Sequence, residues 1–83
     1  MGRDRDDALD WDGMSMQDIL ELAIADEEDA LEYYRHAASM TANPHMRETL
    51  LHLAAMEEGH AETLRKELND LLVQRELETG LAD

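Results

Sequence analysis

Cysteine is absent from this sequence of 83 residues, which excludes disulfides and every metal site built from thiolates, including a rubredoxin-type iron centre. A chain this short rarely buries enough apolar surface to be stable without disulfides, a metal or association with another chain. Because disulfides are excluded, we expect one small domain that a metal or oligomerisation stabilises.

Basic residues are scarce as well: 7 Lys and Arg face 21 Asp and Glu, which gives a formal net charge of −14. Phosphate backbones are bound by Lys and Arg, so we expect no nucleic-acid partner. No apolar run approaches the ~18 residues of a membrane-spanning helix, and the acidic N-terminus lacks the hydrophobic core of a signal peptide. We therefore expect a cytoplasmic protein with no membrane partner.

Two helices are predicted from periodicity and end signals. The first begins after Ser15, with Asp18 completing a capping-box-like pattern, and runs to about Met40. The chain's single proline, Pro44, suits the first position of a second helix with Asn43 as its N-cap. This second helix runs towards Gly80, and a break near residues 69–70 would leave a short third helix.

The predicted fold class is therefore all-α. The chain divides into a flexible acidic tail (1–14), a helical hairpin (15–80) and a C-terminal end (81–83). A connection of only a few residues makes the helices pack antiparallel. Because two helices leave no closed core, we expect two hairpins to dimerise into a four-helix bundle.

One apolar stripe follows each helix at steps of three and four, and ligand-type residues interrupt both stripes. The first stripe is Leu20, Ala23, Glu27, Ala30, Leu31, Tyr34 and Ala38; the second is Met46, Leu50, Leu53, Glu57, His60, Leu64, Leu68 and Leu71. A buried carboxylate costs several kcal/mol unless a partner compensates its desolvation, and a metal cation is a common partner.

Glu57 and His60 lie one helical turn apart, so both can bind one metal, with Glu27 facing them across the hairpin. A Glu on one helix and Glu-x-x-His on the next make half of a di-iron carboxylate site. Three ligands are too few for two metals, but a two-fold dimer supplies four Glu and two His. Such ligands suit iron, with manganese or zinc as surrogates.

Helical phase selects these acids over their neighbours. Glu28 is in phase with Glu32 and Arg35 on a polar face, and Glu58 is in phase with Glu62 and Arg65.

Two further features each have two interpretations. Tyr34, two turns after Glu27, is either a hydrogen-bond or redox partner of the site or a core aromatic. Asp26 and Asp29 are either a funnel for cations and a secondary metal site, with calcium as a candidate, or a solvated face.

Residues 22–68 resemble the ferritin-like/rubrerythrin superfamily, and most of all the encapsulated ferritins. The resemblance lies in the segments AIADEEDALEYY (23–34) and LAAMEEGH (53–60), and in the thirty residues from Glu27 to Glu57 followed by three to His60. It implies iron ligands at Glu27, Glu57 and His60, a nearby tyrosine at Tyr34, and a secondary acidic metal site at Asp26 and Asp29.

The resemblance further implies a di-iron ferroxidase, with iron between two subunits, Fe(II) as substrate and O2 or peroxide as oxidant. It implies a ring-shaped homodecamer inside an encapsulin shell, although residues 78–83 do not resemble the shell-docking peptide of such cargo. Two alternatives remain: a rubrerythrin-like peroxide reductase, which needs an electron donor, and a non-enzymatic assembly module with a structural metal.

Overall fold

The computed structural model describes residues 13–78, which form two α-helices, α1 (Met16–Met40) and α2 (Pro44–Glu78). No strand occurs among these residues, so the all-α prediction is confirmed. Residues 1–12 and 79–83 lie outside the described range. The predicted tail, except for Gly13 and Met14, and the predicted helix stop at Gly80 therefore stay predictions.

The first helix begins with the capping box that the sequence indicates. Ser15 has an extended backbone, and its hydroxyl accepts a hydrogen bond from the Asp18 amide at 3.1 Å. The Asp18 carboxylate in turn accepts one from the Ser15 amide at 3.2 Å. Two amides that lack partners within the helix are thus satisfied at the point where α1 begins.

A connection of three residues, 41–43, joins the helices. The Asn43 side-chain oxygen accepts hydrogen bonds from the amides of His45 (2.9 Å) and Met46 (3.1 Å). Pro44 has no backbone N–H, so no donor is left without an acceptor at the first helical position. The Arg47 guanidinium donates to the Thr41 carbonyl at 2.7 Å, which ties the connection to α2. The short connection makes α1 and α2 an antiparallel hairpin, as predicted.

The short third helix does not form in the described range, because α2 continues without a break through residues 69–70. The Lys66 ammonium pairs with Asp70 at 2.9 Å across one turn of this segment. Leu68 and Leu71 also stay half-buried in helical phase. Packing and a favourable charge pair thus offset the weak helix propensity of Asn69 and Asp70.

Small side chains make the closest contact between the helices. The buried residues are Leu31 and Ala38 on α1 and Ala54 and Ala61 on α2, and Ala61 is 0% exposed. The two buried residues of α1 belong to the predicted stripe. Those of α2 each follow a stripe member by one residue, so on α2 the contact is rotated by about 100° from where the stripe predicts it.

The predicted stripes are consequently only half covered in one hairpin. Their half-buried apolar members are Leu20, Ala23, Ala30 and Tyr34 on α1, and Leu50, Leu53, Leu64, Leu68 and Leu71 on α2. Neither helix is apolar enough over a sufficient length to cross a membrane.

Candidate metal centre

The hairpin brings Glu27, Glu57 and His60 together, as the spacing predicts. One ligand atom from each residue lies within 4.8 Å of the others. The His60 Nδ1 atom is 3.4 Å from Glu57 Oε1 on its own helix and 3.6 Å from Glu27 Oε1 on the opposite helix. The residues therefore face one point between α1 and α2, and their role as metal ligands stays a prediction.

The three side chains differ in exposure. The side chains of Glu27 and Glu57 are 27% and 21% exposed, whereas that of His60 is 57% exposed. The stripe predicted a buried histidine, but the completely buried residue is Ala61, and His60 reaches Glu27 on α1 from a more exposed position. The candidate site is thus walled by the hairpin on one side and open on the imidazole side.

The two carboxylates influence each other's protonation. A hydrogen bond with Glu57 raises the pKa of Glu27, and partial burial and the negative charge of Glu57 act in the same direction. The same hydrogen bond lowers the pKa of Glu57, and the neighbouring His60 lowers it further. The pair is therefore arranged to hold one proton between two carboxylates, and once that proton leaves the two negative charges repel each other.

The donor set fits iron. Two carboxylates and an imidazole, without sulfur, suit iron, manganese or zinc rather than copper(I) or an iron–sulfur cluster. Ligand atoms that bind one such metal at about 2.0–2.2 Å lie roughly 3–4 Å apart, so only small side-chain movements are needed here. Partly desolvated carboxylates that repel one another are a further reason for a cation at this point.

The neighbouring acids belong to a separate ion-pair network. Arg65 Nη2 lies 2.8 Å from Glu28 Oε2 on α1, and Arg65 Nη1 lies 3.9 Å from Glu58 Oε2 on α2. The structure thus agrees with the helical phase that selects Glu27 and Glu57 over Glu28 and Glu58. Sequence reasoning found the shared face of Glu58 and Arg65 but missed the pairing of Arg65 with Glu28 across the hairpin.

Tyr34 is half-buried and packs against the ring of Tyr33, with centroids 5.5 Å apart and an edge-to-face angle of 67°. Seven residues separate it from Glu27, which is about 10 Å along the helix axis. Its observed contact is thus aromatic, and a role at the site stays a prediction.

Asp26 and Asp29 are exposed on α1. Within residues 13–78, no second group of three ligand-type side chains converges. The predicted calcium site at these two residues is therefore not assembled by the hairpin alone.

Comparison with known proteins identifies the family. The sequence profile of the Rubrerythrin family matches residues 18–81, a range that includes all three clustered residues. Neither the curated proteins nor the solved structures contain a significant match to this chain. The family match covers most of the chain and agrees with the helical hairpin and its carboxylate–histidine cluster, so the chain belongs to the rubrerythrin family of the ferritin-like superfamily.

Proposed function

We propose that this protein is a di-iron ferroxidase whose metal site forms between two copies of the chain. The observation that carries the proposal is the cluster of Glu27, Glu57 and His60, held by one hairpin and open on one side. An open side leaves room for a second set of ligands and for the oxidant. The family match supports a di-iron type of protein in general.

Two copies are needed because one hairpin provides three ligands. A two-fold axis beside the open imidazole would add a second Glu27, Glu57 and His60, which gives four carboxylates and two imidazoles for two metals. The half-covered apolar stripes on both helices supply the surface for this contact. Pairing these faces would complete a four-helix core that a single hairpin lacks.

Iron supplies the redox chemistry in this proposal. Two Fe(II) substrate ions lose one electron each. The electron pair, with two protons, reduces O2 to hydrogen peroxide, or reduces hydrogen peroxide to two waters. The product Fe(III) then leaves for storage.

The protein's own side chains would bind and orient the iron and would release protons when it binds. Glu57 and, from the opposite helix, Glu27 would hold iron through their carboxylates. The His60 Nδ1 atom points at both carboxylates and must be free of its proton before it can bind a metal. Where the two carboxylates share a proton, that proton must also leave, so metal uptake by the protonated pair would release it.

The proposed oligomer and location follow the resemblance to encapsulated ferritins. They are a ring-shaped homodecamer and a place inside an encapsulin shell, and the spacing from Glu27 through Glu57 to His60 supports the resemblance. Asp26 and Asp29 lie beside Glu27 on the exposed surface, where they would attract cations towards the site. Replacing both by Asn should slow iron uptake, and the difference should shrink as salt is added.

The family match favours a second candidate, a peroxide reductase of the rubrerythrin type. It would use the same three ligands but needs electrons from a donor. These 83 residues contain no cysteine for an iron–sulfur donor, so the donor would be a separate group or protein. A third candidate, a structural metal in an assembly module, uses the ligands without any redox step.

One titration separates these candidates. Fe(II) is added anaerobically while the mass of the protein is followed, and air or peroxide is then admitted. The ferroxidase proposal expects two irons per dimer and accumulation of Fe(III). Catalytic consumption of peroxide with an added reductant would identify the reductase. Bound metal that reacts with neither oxidant would identify the structural module.

Assembly gives an independent test. Metal that binds only the dimer stabilises it by mass action, so Fe(II) should shift the elution volume in size-exclusion chromatography. The Glu57→Ala variant should not respond. Identical assembly of the metal-free protein, the iron-loaded protein and the variant would show that the site is not shared between chains.

A further inference from the structure

Arg65 links the two helices directly beside the candidate metal centre. It projects from α2, donates a 2.8 Å hydrogen bond to Glu28 on α1, and also lies 3.9 Å from Glu58 on its own helix. Each of these acids is the next residue in the chain after one of the clustered carboxylates, Glu27 and Glu57. One guanidinium therefore joins the backbone segments that carry both carboxylates.

The acids around Arg65 favour its charged form. The hydrogen bond with Glu28 raises the pKa of Arg65, and the negative charges of Glu28, Glu58 and Glu62 raise it further. Without the guanidinium, Glu28 on α1 and Glu58 on α2 would be two like charges facing each other across the hairpin. They would add to the repulsion between Glu27 and Glu57 and push the helices apart at this level.

The apolar contact cannot fix this geometry by itself. The buried groups nearest in sequence to the cluster are Ala61, beside His60, and Ala54, three residues before Glu57, and apolar contacts are not directional. At the far end of the hairpin, Arg75 Nη1 donates to Gln17 Oε1 at 2.7 Å. Polar contacts thus join the helices at both levels, and at the ligand level the Arg65–Glu28 pair adds to the contacts that Glu27 makes with Glu57 and His60.

We propose that Arg65 is a positioning residue of the metal site. Its guanidinium sets the separation and register of α1 and α2 so that Glu27 meets Glu57 and His60 before a metal binds. The effect of Arg65 on metal binding rests on the proposed function. Its effect on the distance between Glu27 and His60 in the metal-free hairpin does not.

Removal of the Arg65 charge should change the affinity for a cation in opposite directions, depending on whether Arg65 acts through long-range charge or through positioning. Removing a positive charge close to an acidic site should strengthen cation binding if only long-range charge matters. Loss of preorganisation should weaken it instead. Because the pair is exposed (42% for Arg65 and 49% for Glu28), its loss should change the stability of the fold only slightly. A large effect on affinity with a small effect on thermal unfolding is therefore the signature of positioning.

The first measurement is Co(II) binding, followed by visible absorption without any turnover. We expect Arg65→Met to bind Co(II) about tenfold more weakly. This is the low end of the loss in affinity when a residue that supports the ligands, but does not bind the metal itself, is removed. Arg65→Lys should recover part of the loss, since it keeps the charge but cannot span two carboxylates.

Lys66→Met is the matched control for this measurement. It removes the same charge one residue away, where the partner Asp70 lies on the same helix. It should bind as tightly as the wild type or slightly more tightly. Unchanged or tighter binding by Arg65→Met would overturn the proposal.

The second measurement needs no metal. In the metal-free protein, nuclear Overhauser contacts between Glu27 and His60 should weaken in Arg65→Met, while those between Gln17 and Arg75 persist. Circular dichroism verifies that helix content is retained, and Arg65→Lys provides the comparison if Arg65→Met fails to fold. Persistence of the Glu27–His60 contacts would refute positioning. Absence of Co(II) and Fe(II) binding by the wild type would refute the proposed function, and the contact measurement would still decide the role of Arg65.

Discussion

His60 and Ala61 are neighbours in the chain, yet the imidazole is 57% exposed and the alanine is completely buried. The difference divides α2 into two faces. The face with Ala54 and Ala61 is closed by α1, and the adjacent face with Glu57 and His60 is only partly covered. The closed face accounts for the hairpin, whereas the open face holds the ligand-type residues and lacks a covering element within residues 13–78.

The comparison teaches that folding of the hairpin and completion of the site are separable. The residues buried in the hairpin are Leu31, Ala38, Ala54 and Ala61, and none of them is a ligand-type residue. On the open face the carboxylates repel each other and gain from a cation. Mutations on the closed face should therefore act first on stability, and removal of a ligand-type residue from the open face should act first on metal chemistry.

The largest expected effect is on the open face. His60→Ala should reduce Fe(II) oxidation to the uncatalysed rate, because it removes one of three ligands per chain, and helix content should stay unchanged because the imidazole is exposed. Glu27→Ala and Glu57→Ala should do the same. Stopped-flow oxidation in air, with iron bound per dimer measured alongside, checks this.

Two exposed acids serve as controls for the ligand variants, Glu32→Gln on α1 and Glu48→Gln on α2. Both should keep full activity. If the controls lose activity while the three ligand variants keep it, the assignment of Glu27, Glu57 and His60 as ligands is wrong. If none of the five variants matters, the di-iron proposal is wrong.

The next largest effect is on the closed face. Ala61→Leu adds three carbon atoms at a position with no exposed surface, so it should destabilise the hairpin by about 1–3 kcal/mol and lower metal affinity by separating the helices. The exposed neighbour Ala55 on the same helix provides the control, since Ala55→Leu should change the unfolding free energy little. Thermal unfolding followed by circular dichroism compares the two. Equal effects would show that the closed face is not closed in solution.

The pH dependence of stability tests the carboxylate pair. The raised pKa of Glu27 means that this group stabilises the metal-free hairpin fully below the ordinary glutamate pKa of about 4.3, and that the contribution is lost as pH rises through the raised pKa. The lowered pKa of Glu57 gives a contribution that is present above the ordinary value and lost as pH falls through the lowered one. The two contributions therefore change with pH in opposite directions.

Glu27→Gln should therefore raise the melting temperature of the metal-free protein at pH 7, because an amide donates to Glu57 at any pH and carries no charge. The advantage should shrink at about pH 4–5, where the wild-type Glu27 is itself increasingly protonated. Melting curves in chelator at both pH values test this, with Glu32→Gln as the control that should show no such pattern. A pH-independent difference would argue against a shared proton.

Much of this arrangement follows from local sequence signals. Ser15 with Asp18, and Asn43 with Pro44, mark helix starts through contacts within one turn, so the helix bounds and the hairpin were predictable. The cluster was predictable because Glu57 and His60 interrupt an apolar stripe at a spacing fixed by the helix itself.

What escaped prediction depends on how one helix is rotated against the other. Periodicity gives the centre of an apolar face but not which part of it the partner helix covers. Ala54 and Ala61 were therefore missed as the contact, and His60 was expected to be buried. The Arg65–Glu28 pair was missed for the same reason, since the two residues are 37 positions apart and meet only in this packing. The break considered near residues 69–70 does not occur, because half-buried leucines and the Lys66–Asp70 pair offset the weak helix propensity of Asn69 and Asp70.

The smallest effect concerns Gly59, which lies between Glu58 and His60 in the middle of α2. A Cβ atom at this position would meet nothing within 4 Å, so the hairpin itself does not require glycine there. Gly59→Ala should stabilise the isolated hairpin by up to about 1 kcal/mol through helix propensity. This corresponds to a rise in melting temperature of roughly 4–8 °C for a chain of this size. Iron bound per chain should be unchanged, because the ligands on α1 and α2 keep their places.

The measurement for Gly59→Ala is thermal unfolding at low protein concentration without metal, followed by size-exclusion chromatography with Fe(II). A gain in stability without metal together with a loss of iron-induced assembly would instead show that a second chain approaches α2 closely at Gly59, which would extend the open face beyond His60.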